Sequence, residues 1–443
     1  MISYSVRLAF KSVLRTPALS AFTVVGISIG VAVPTAVISI HHVFARNPIP
    51  HKSDVLYNVR VDSWDPNSEF FDIQPGDPPK HITYRDMRGL MASDVPRYET
   101  GVATAVIFVF PEDERLQPYR GTVRLCHADF FPMFDVPFAY GGPWSRDVDA
   151  TLEHVIVLSK DSNEKLFGGR DSVGETVRLG TQVFTVVGVL DDFRPTPQYY
   201  DIINNAFGMP RNFFLPFDFV RDQALDLARS GDTDAWGDYD RNDPDAFFDA
   251  SEVTWIQYWV ELDPERVAAY RDFTDDYARS QKAIGRFPKP LNNRVTPLME
   301  WMRIAQVLPP AVNGLVILAV LFLVVCCLNL TGLLLGKFLA KAGVLGVHRA
   351  LGAPRSAIFL QRLFECELVG LAGGLVGLGL AALALQWIEK LAPGAPITAG
   401  MFAANGYTFV VAFALALLAG MLSGLYPAWR ACRIPPALQL KLQ

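Results

Sequence analysis

AVNGLVILAVLFLVVCCLNLTGLLL (residues 311–335) is an apolar run without a single charged side chain. A helix needs about 20 consecutive apolar residues to cross the hydrocarbon core of a bilayer, and this run is long enough. Three other stretches have the same character, and the four together predict membrane-spanning helices at residues 18–43, 309–336, 363–386 and 405–427. The chain of 443 residues also carries 45 acidic and 40 basic residues, so we expect a soluble part as well.

Each predicted span contains two glycines four residues apart, a spacing that lets helix backbones approach closely. The pairs are Gly26 with Gly30, Gly332 with Gly336, Gly370 with Gly374, and Gly420 with Gly424. We predict that these are helix-packing positions. Because glycine is frequent in membrane helices, chance spacing is the alternative for any one pair.

The basic residues predict how the spans are oriented. Three segments together hold 11 lysines and arginines and no acidic residue: residues 1–17, 337–362 and 428–443. Basic loops stay on the cytoplasmic side of a membrane, so we expect these segments and both termini to be cytoplasmic. Arg7, Lys11 and Arg15 are spaced four apart, which predicts an amphipathic helix on the lipids of the inner leaflet; a plain topology anchor is the alternative.

Residues 44–308 form the predicted soluble part, with 28 basic and 42 acidic residues. It is expected on the far side of the membrane, together with the short loop at residues 387–404. Its pattern predicts strands at 121–125 and 155–158, a helix at 160–167, and a hairpin at 174–190 with Gly180 in the turn. The predicted fold is therefore a four-helix α membrane domain with a large α+β extracytoplasmic domain inserted between helices 1 and 2.

No catalytic constellation is recognisable in this external part. His127 near Asp129, and the pair His41 and His42, lack a third ligand at metal-binding spacing, so we expect interface or surface histidines. The acidic stretch 221–250 does not follow the calcium-loop pattern and is interpreted as a solvated insertion. Cys126 is the only cysteine of the external part, which excludes a disulfide within it.

GLLLGKF, residues 332–338, is similar to a phosphate-binding loop only at first sight. Its glycines are separated by three residues instead of four, and the Ser or Thr that would contact magnesium is missing. We therefore expect the chain to have no nucleotide, cofactor or metal site of its own. The basic segment KAGVLGVHRALGAPR, residues 341–355, lies between the second and third spans and is interpreted as a docking site for a cytosolic partner.

Several motifs, taken in chain order, resemble the permease subunits of type VII ABC transporters, the MacB/FtsX/LolC-E superfamily. FKSVLRTP at 10–17 and VGISIGV at 25–31 resemble the start of these permeases. The MacB-type periplasmic core domain is resembled by LFGG at 166–169, VGET at 173–176 and FTVVGV at 184–189. GVHRALGA at 346–353 resembles the segment that contacts the ATPase, and GLYPAWR at 424–430 resembles the motif that closes the last span.

The resemblance implies a non-catalytic permease subunit of the bacterial inner membrane. Such permeases dimerise, and each binds one cytosolic ATPase, which holds the ATP and magnesium. ATP-driven closure of the ATPases moves the coupling segments, and long helices carry the motion to the periplasmic domains (mechanotransmission). The expected coupling residues are Val344, Gly346, His348, Arg349, Ala350, Leu351, Gly352, Ala353 and Arg355.

The resemblance also implies the partners. MacB carries a fused N-terminal ATPase that is not seen in this sequence, so we expect the ATPase on a separate polypeptide. A second permease chain, a periplasmic adaptor and membrane lipids are the other expected partners, and no nucleic acid is expected. Where Val344 and His348 stand, relatives commonly have an acidic residue and an arginine. A heterodimer whose sister permease keeps the usual residues is one hypothesis, and neutral drift at a tolerant surface is the alternative.

The size of the external part favours export of a periplasmic substrate, as in MacB. The alternatives are lipoprotein extraction, as in the LolC/E branch, and signalling to a cell-wall hydrolase, as in FtsX, whose external domain is usually smaller. A free-standing receptor or enzyme is the remaining class, and the missing catalytic constellation argues against it.

Overall fold

The chain folds as two compact units, one formed by residues 1–46 and 308–443 and the other by residues 47–307. We call them the membrane unit and the external unit. The computed structural model describes residues 17–65, 67–68, 70, 76–113, 115–221, 228–231, 233–240, 243, 245–287, 289–340, 347, 352–391 and 406–433.

In its described residues, the membrane unit consists of four long apolar helices. They are Pro17–Ala45, Pro310–Ala340, Arg355–Leu391 and Gly406–Arg433, here called the first to fourth membrane helices. Each is long and apolar enough to cross a membrane. The predicted arrangement, with one span before the external domain and three after it, is confirmed.

The ends of these helices differ from the predicted spans. The second membrane helix continues past residue 336 to Ala340, and the third begins at Arg355 instead of residue 363. Lys337 and Arg362, which were interpreted as charges of a cytoplasmic loop, are buried in contacts between helices. The predicted segment 337–362 therefore includes the ends of two helices, and residues 341–354 connect them.

The external unit is built on one 11-stranded sheet in its described residues. The strands of this sheet are β1 Leu56–Arg60, β2 Tyr98–Phe110, β3 Tyr119–Cys126, β4 Phe138–Gly141, β5 Val155–Leu158, β6 Thr176–Leu179, β7 Gln182–Leu190, β8 Phe213–Pro216, β9 Ala228–Ser230, β12 Gln257–Glu261 and β13 Arg294–Pro297. Their order is β13-β1-β12-β2-β3-β8-β5-β7-β4; in addition, β6 pairs with β2 and β7, and β9 pairs with β2. Strands β10 Asp234–Ala235 and β11 Val253–Thr254 pair separately. The β3–β8 and β5–β7 pairs are parallel, so the sheet contains crossover connections as well as hairpins.

Helices cover the sheet. They are α1 Tyr84–Leu90, α2 Phe130–Met133, α3 Arg146–Thr151, α4 Lys160–Phe167, α5 Ile202–Asn205, α6 Ala246–Asp249, α7 Val267–Ala283 and α8 Leu298–Ile304. Successive side chains of a strand point to opposite faces, and along β2 Val102 packs in one apolar cluster while Ala103 and Ile107 pack in another. Both faces of the sheet are thus buried, which gives this unit a core of its own.

The predicted elements of residues 121–190 are confirmed. The strands β3 and β5 and the helix α4 lie where the pattern indicates. Ser159 caps α4 by accepting a hydrogen bond from the Ser162 backbone N–H at 3.2 Å, and Gly168 ends it in a left-handed conformation. Strands β6 and β7 form the expected antiparallel hairpin, with Gly180 at φ +56° in its turn.

The interpretation of residues 221–250 as a solvated insertion is wrong for its last five residues, whereas Asp238, Asp240 and Asp243 before them are exposed. Helix α6 lies in this stretch, and its Phe247 and Phe248 are buried in the core against Trp255. Acidic residues dominate the stretch in the sequence, but burial of the aromatic rings determines the local fold.

Candidate functional site

The segment between the second and third membrane helices carries the predicted coupling residues. Most of them, Val344, Gly346, His348, Arg349, Ala350 and Leu351, lie outside the described residues. Val347 is exposed, and Gly352 has a φ of +94°, a backbone conformation that favours glycine. Pro354 precedes the third membrane helix, and its carbonyl accepts a hydrogen bond from the Ala357 N–H at 3.1 Å. Arg355 is the first residue of that helix.

An apolar cluster packs where this segment begins and ends. It joins the second, third and fourth membrane helices, with Ala353 and Phe359 packed against it, and its buried members are Leu334, Phe338, Ile358, Cys366, Ala428, Ala431 and Cys432. Phe338 is fully buried, two residues before the second helix ends. Both ends of the segment are therefore held against one packed core.

A buried ionic cluster lies beside this core. The Lys337 Nζ donates to the Glu365 Oε1 at 2.8 Å, and the Arg362 Nη1 donates to the Glu365 Oε2 at 2.7 Å. The Lys337 Nζ also donates to the Ser20 Oγ of the first membrane helix at 3.3 Å. Lys337, Arg362 and Glu365 are 4%, 5% and 1% exposed. Charges this deeply buried are maintained only when they are paired, and loss of one partner costs about 3–5 kcal/mol.

Sequence reasoning missed this cluster because it counted Lys337 and Arg362 only as topology signals. Glu365 could have revealed it, since it follows Arg362 by three residues on the same helix face within an apolar helix. An ionisable residue inside a membrane helix marks a polar partner or a functional site by default.

Three of the four predicted glycine pairs lie where membrane helices contact each other. In the first helix, a Cβ atom at Gly26 would lie 2.9 Å from the Leu330 side chain, and one at Gly30 would lie 3.0 Å from the Cys326 Cβ. Both neighbours belong to the second membrane helix. This pair therefore allows the first two helices to approach closely.

The glycines predicted in the third membrane helix face the fourth. A Cβ atom at Gly370 would lie 3.1 Å from the Ala416 carbonyl oxygen, and one at Gly374 would overlap the Ala416 Cβ. Both Gly370 and Gly374 are buried. They therefore pack against another helix of this same chain and are not exposed to lipid or to a second chain.

The glycines predicted in the fourth membrane helix face the third in return. A Cβ atom at Gly420 would lie 3.0 Å from the Glu367 Oε2, and one at Gly424 would lie 2.5 Å from the Cys366 Cβ. Both Gly420 and Gly424 are buried. At Gly424 any side chain would displace Cys366, a member of the apolar core that packs at the ends of the segment 341–355.

The structure does not support helix packing within this chain at Gly332 and Gly336. A Cβ atom at either position would meet no described atom within 4 Å. Conversely, the sequence reading missed Gly373 and Gly377 of the third membrane helix. Cβ atoms there would lie 2.7 Å from the Ile27 Cβ and 2.7 Å from the Ser28 carbonyl oxygen, so these glycines allow the first helix to approach. The sequence offered the signal in their own four-residue spacing.

The external unit contains a buried polar centre at Asp201, which is fully buried. Its carboxylate accepts hydrogen bonds from the Arg124 Nη2 at 2.6 Å and the Arg211 Nη2 at 3.1 Å. The side-chain amides of Asn204 and Gln257 also donate to it, at 2.6 and 2.7 Å. The two guanidinium groups keep the pKa of Asp201 below its usual value despite burial. This centre ties β3, β12 and the loop after β7 together.

His127 is a core residue, so its interpretation as an interface or surface histidine is wrong. Its ring stacks on Phe217 with centroids 5.2 Å apart, and its Nδ1 accepts a hydrogen bond from the Gly101 N–H at 3.2 Å. Burial lowers the pKa of His127 to about 4, which keeps the ring neutral. In the described residues, no group of three His, Cys, Asp or Glu side chains could hold a metal ion.

A polar cavity of about 520 Å³ lies beside His127 and is lined in part by Arg97, Glu99, Asp129 and Arg146. Arg146 forms a two-pronged ion pair with Asp129, at 2.6 and 2.7 Å. Burial raises the pKa of Glu99 to about 7, although its hydrogen bond from the Tyr258 hydroxyl opposes the rise. No arrangement of a nucleophile with a base is seen among the described residues of this cavity. Two of its arginines pair with acidic groups of the same lining, Arg146 with Asp129 and Arg88 with Asp218.

Comparison with known proteins covers both units. Residues 20–271 match the MacB-like periplasmic core domain family, and residues 316–436 match the FtsX-like permease C-terminal family. The second match includes the ionic cluster and the segment 341–355.

Individual relatives are distant. The macrolide export ATP-binding/permease protein MacB of Photorhabdus laumondii is 24% identical over 312 residues, which cover 70% of this chain and 41% of the relative. The pyoverdine export ATP-binding/permease protein PvdT of Pseudomonas syringae pv. tomato is 24% identical over 375 residues, which cover 78% of this chain and 49% of the relative. The chain spans less than half the length of these curated relatives.

Among solved structures, the periplasmic region of MacB from Actinobacillus actinomycetemcomitans aligns with a TM-score of 0.36 and 12% identity. The alignment covers 56% of this chain and 92% of that one. Because the matched periplasmic core domain covers more than half of the chain and the permease domain follows it, the chain belongs to the MacB-type family of ABC transporter permeases.

Proposed function

We propose that this chain is the permease subunit that couples ATP hydrolysis by a cytosolic ATPase to motion of its external domain. The observation that supports this most is the anchoring of the segment 341–355. Both of its ends are held by one apolar core and one buried ionic cluster at the ends of long membrane helices. A segment anchored in this way passes a displacement on to the helices instead of absorbing it.

In this proposal, the motion of the external domain drives export of a periplasmic substrate. The relatives support this, because the proteins named above are described as exporters of macrolides and of pyoverdine. The match to the MacB-like core domain also favours export over signalling, because FtsX-like signalling proteins usually have a smaller external domain. The identity of the substrate is left open, since 24% identity does not carry a ligand from one protein to another.

The proposed assembly follows from the same family. The ATPase subunit binds the ATP and magnesium, and this chain contributes no cofactor site. A second permease chain, identical or a sister permease, completes the dimer, and a periplasmic adaptor is a further candidate partner. The termini and the segment 341–355 face the cytoplasm of the inner membrane, where the basic stripe Arg7, Lys11 and Arg15 meets anionic lipid.

Two substitutions test the docking assignment. Arg349→Glu reverses a charge in the segment, and Leu351→Asp replaces an apolar side chain of the segment with a carboxylate. Each is expected to abolish co-purification of the ATPase and its stimulated hydrolysis, while the permease stays folded in the membrane. Gly379→Ala, at a position where a Cβ atom meets no described atom, is the control and should leave both properties unchanged. Survival of ATPase binding and stimulation in both variants would show that the segment is not the docking site.

A further inference from the structure

We propose that Lys337, Glu365 and Arg362 are positioning residues that lock the two ends of the segment 341–355, here called the docking segment, to the first membrane helix. Displacement of the segment then moves the first three membrane helices together. This inference rests on the proposed function and adds to it the residues through which the displacement leaves the segment.

The position of the cluster carries the first step. Lys337 lies three residues before the end of the second membrane helix at Ala340, and Arg362 lies seven residues after the third begins at Arg355. Glu365 accepts from both, at 2.8 and 2.7 Å, so one carboxylate joins the two helices that frame the segment.

The bond from the Lys337 Nζ to the Ser20 Oγ, at 3.3 Å, extends the connection to the first membrane helix. That helix leads into the external unit, whose first residue is Asn47. A displacement transmitted to Ser20 therefore moves the helix that directly precedes the external domain in the chain.

The charges define the register of the helices in a way that the neighbouring apolar contacts do not. Slippage by one helical turn is about 5.4 Å, which would break both ion pairs and leave unpaired charges in a dry site. The apolar core beside them contains small residues such as Ala428, Ala431 and Cys432, whose contacts resist sliding far less. Buried polar groups of this kind are best known for fixing register.

The chain provides a matched control for the carboxylate. Glu367 lies two residues further along the same helix, near Gly420, and its carboxylate oxygens have no hydrogen-bond partner among the described residues. Glu365→Gln and Glu367→Gln make the same substitution on the same helix, but only the first breaks ion pairs.

The experiment uses the full chain with its ATPase in lipid nanodiscs. Glu365→Gln is expected to keep ATPase binding and the KM for ATP unchanged and to lower the permease-stimulated kcat by about 10-fold. Glu365→Asp should restore part of the stimulation, and Glu367→Gln should behave as the unsubstituted chain. Equal effects of Glu365→Gln and Glu367→Gln would overturn the proposal.

A second variant covers the case in which Glu365→Gln does not fold. Replacing the cluster with apolar side chains, Lys337→Met with Arg362→Met and Glu365→Leu, leaves no buried charge and is compatible with a stable fold. It should fold, bind the ATPase and remain uncoupled. Full stimulation by this folded variant would also overturn the proposal.

A measurement without any ATPase separates this inference from the proposed function. Spin labels at Phe22→Cys and Leu339→Cys, both exposed positions on the first and second membrane helices, report the distance between those helices. The five native cysteines are replaced for this purpose. We expect a narrow distance distribution in the labelled chain and with Glu367→Gln, and a broad one with Glu365→Gln. An unchanged distribution in Glu365→Gln overturns the positioning role, whereas failure of the unsubstituted chain to bind or stimulate an ATPase overturns only the proposed function.

Discussion

Single residues with buried charge illustrate how this chain balances its polar groups. Asp201 and Glu365 each accept from two cations at short distance, so neither carboxylate is left isolated in its unit. Glu99 is different, because burial dominates there and raises its pKa to about 7. The protonated form of Glu99 is therefore the one that the fold accommodates most easily.

This difference predicts a pH effect on stability. A carboxyl group whose pKa is higher in the folded chain holds more protons when folded, so stability falls as pH rises from about 4.5 to about 7. Glu99→Gln removes that fall. The measured quantity is the unfolding free energy of the variant minus that of the native chain. Because Glu99 is only partly buried, we expect this difference to be higher at pH 8 than at pH 5 by on the order of 1–2 kcal/mol.

His127 changes stability with pH in the opposite direction and serves as a comparison within the same protein. Its pKa is lowered to about 4 by burial, so it contributes stability that increases as pH rises from about 4 to about 6.5. Denaturant unfolding followed by tryptophan fluorescence at several pH values measures both effects. A difference between Glu99→Gln and the native chain that does not vary with pH would show that Glu99 ionises normally.

At the scale of elements, close contact between the first and third membrane helices depends on glycine. We predict that Gly377→Ala destabilises the membrane unit, because its Cβ would lie 2.7 Å from the Ser28 carbonyl oxygen, a backbone atom that cannot move aside. Separation of the two helices should cost about 1–3 kcal/mol.

Gly379→Ala is the matched control on the same helix, since a Cβ there meets no described atom. It should be neutral or stabilising by up to about 1 kcal/mol, because alanine favours helix over glycine. Thermal unfolding of the protein in detergent distinguishes the two variants. Equal melting temperatures would mean that the first and third helices are not in tight contact at Gly377.

The elements also show which kinds of structure the sequence could predict. The four spans, the helix at 160–167 and the β6–β7 hairpin follow from local patterns of apolar residues and glycine, so they were predictable. The burial of Lys337 was not, because its partners Glu365 and Ser20 belong to two other membrane helices. His127 escaped for the same reason, since its packing on Phe217 joins residues 90 positions apart. The pairing of Arg362 with Glu365 is local and could have been predicted from their three-residue spacing.

The glycine pairs show the same limit. Four-residue spacing indicates that a helix can be approached closely, but it does not say whether a neighbour is there. Gly374 and Gly424 are buried against the facing helix, whereas Gly336 has the same spacing and meets no described atom. Whether such a glycine contacts a facing helix depends on residues from another part of the chain, which the spacing does not reveal.

At the scale of the whole molecule, charge and topology separate two tasks. The acid-free basic segments and the acidic external domain differ in a way that orients a membrane protein. The ionic cluster joins the first three membrane helices near the docking segment, and the glycine contacts hold them together further along their length. The external unit has its own core on both faces of its sheet. In this account the docking segment receives the motion, the helices carry it, and the external domain performs the work.

The most direct test is amide hydrogen exchange in residues 47–307 of the permease–ATPase complex in nanodiscs, compared between ATP and ADP. We predict that ATP changes the exchange of amides in this external unit, and that Arg349→Glu, which does not bind the ATPase, shows no change. Identical exchange with ATP and ADP in a complex that is hydrolysing ATP would contradict the account.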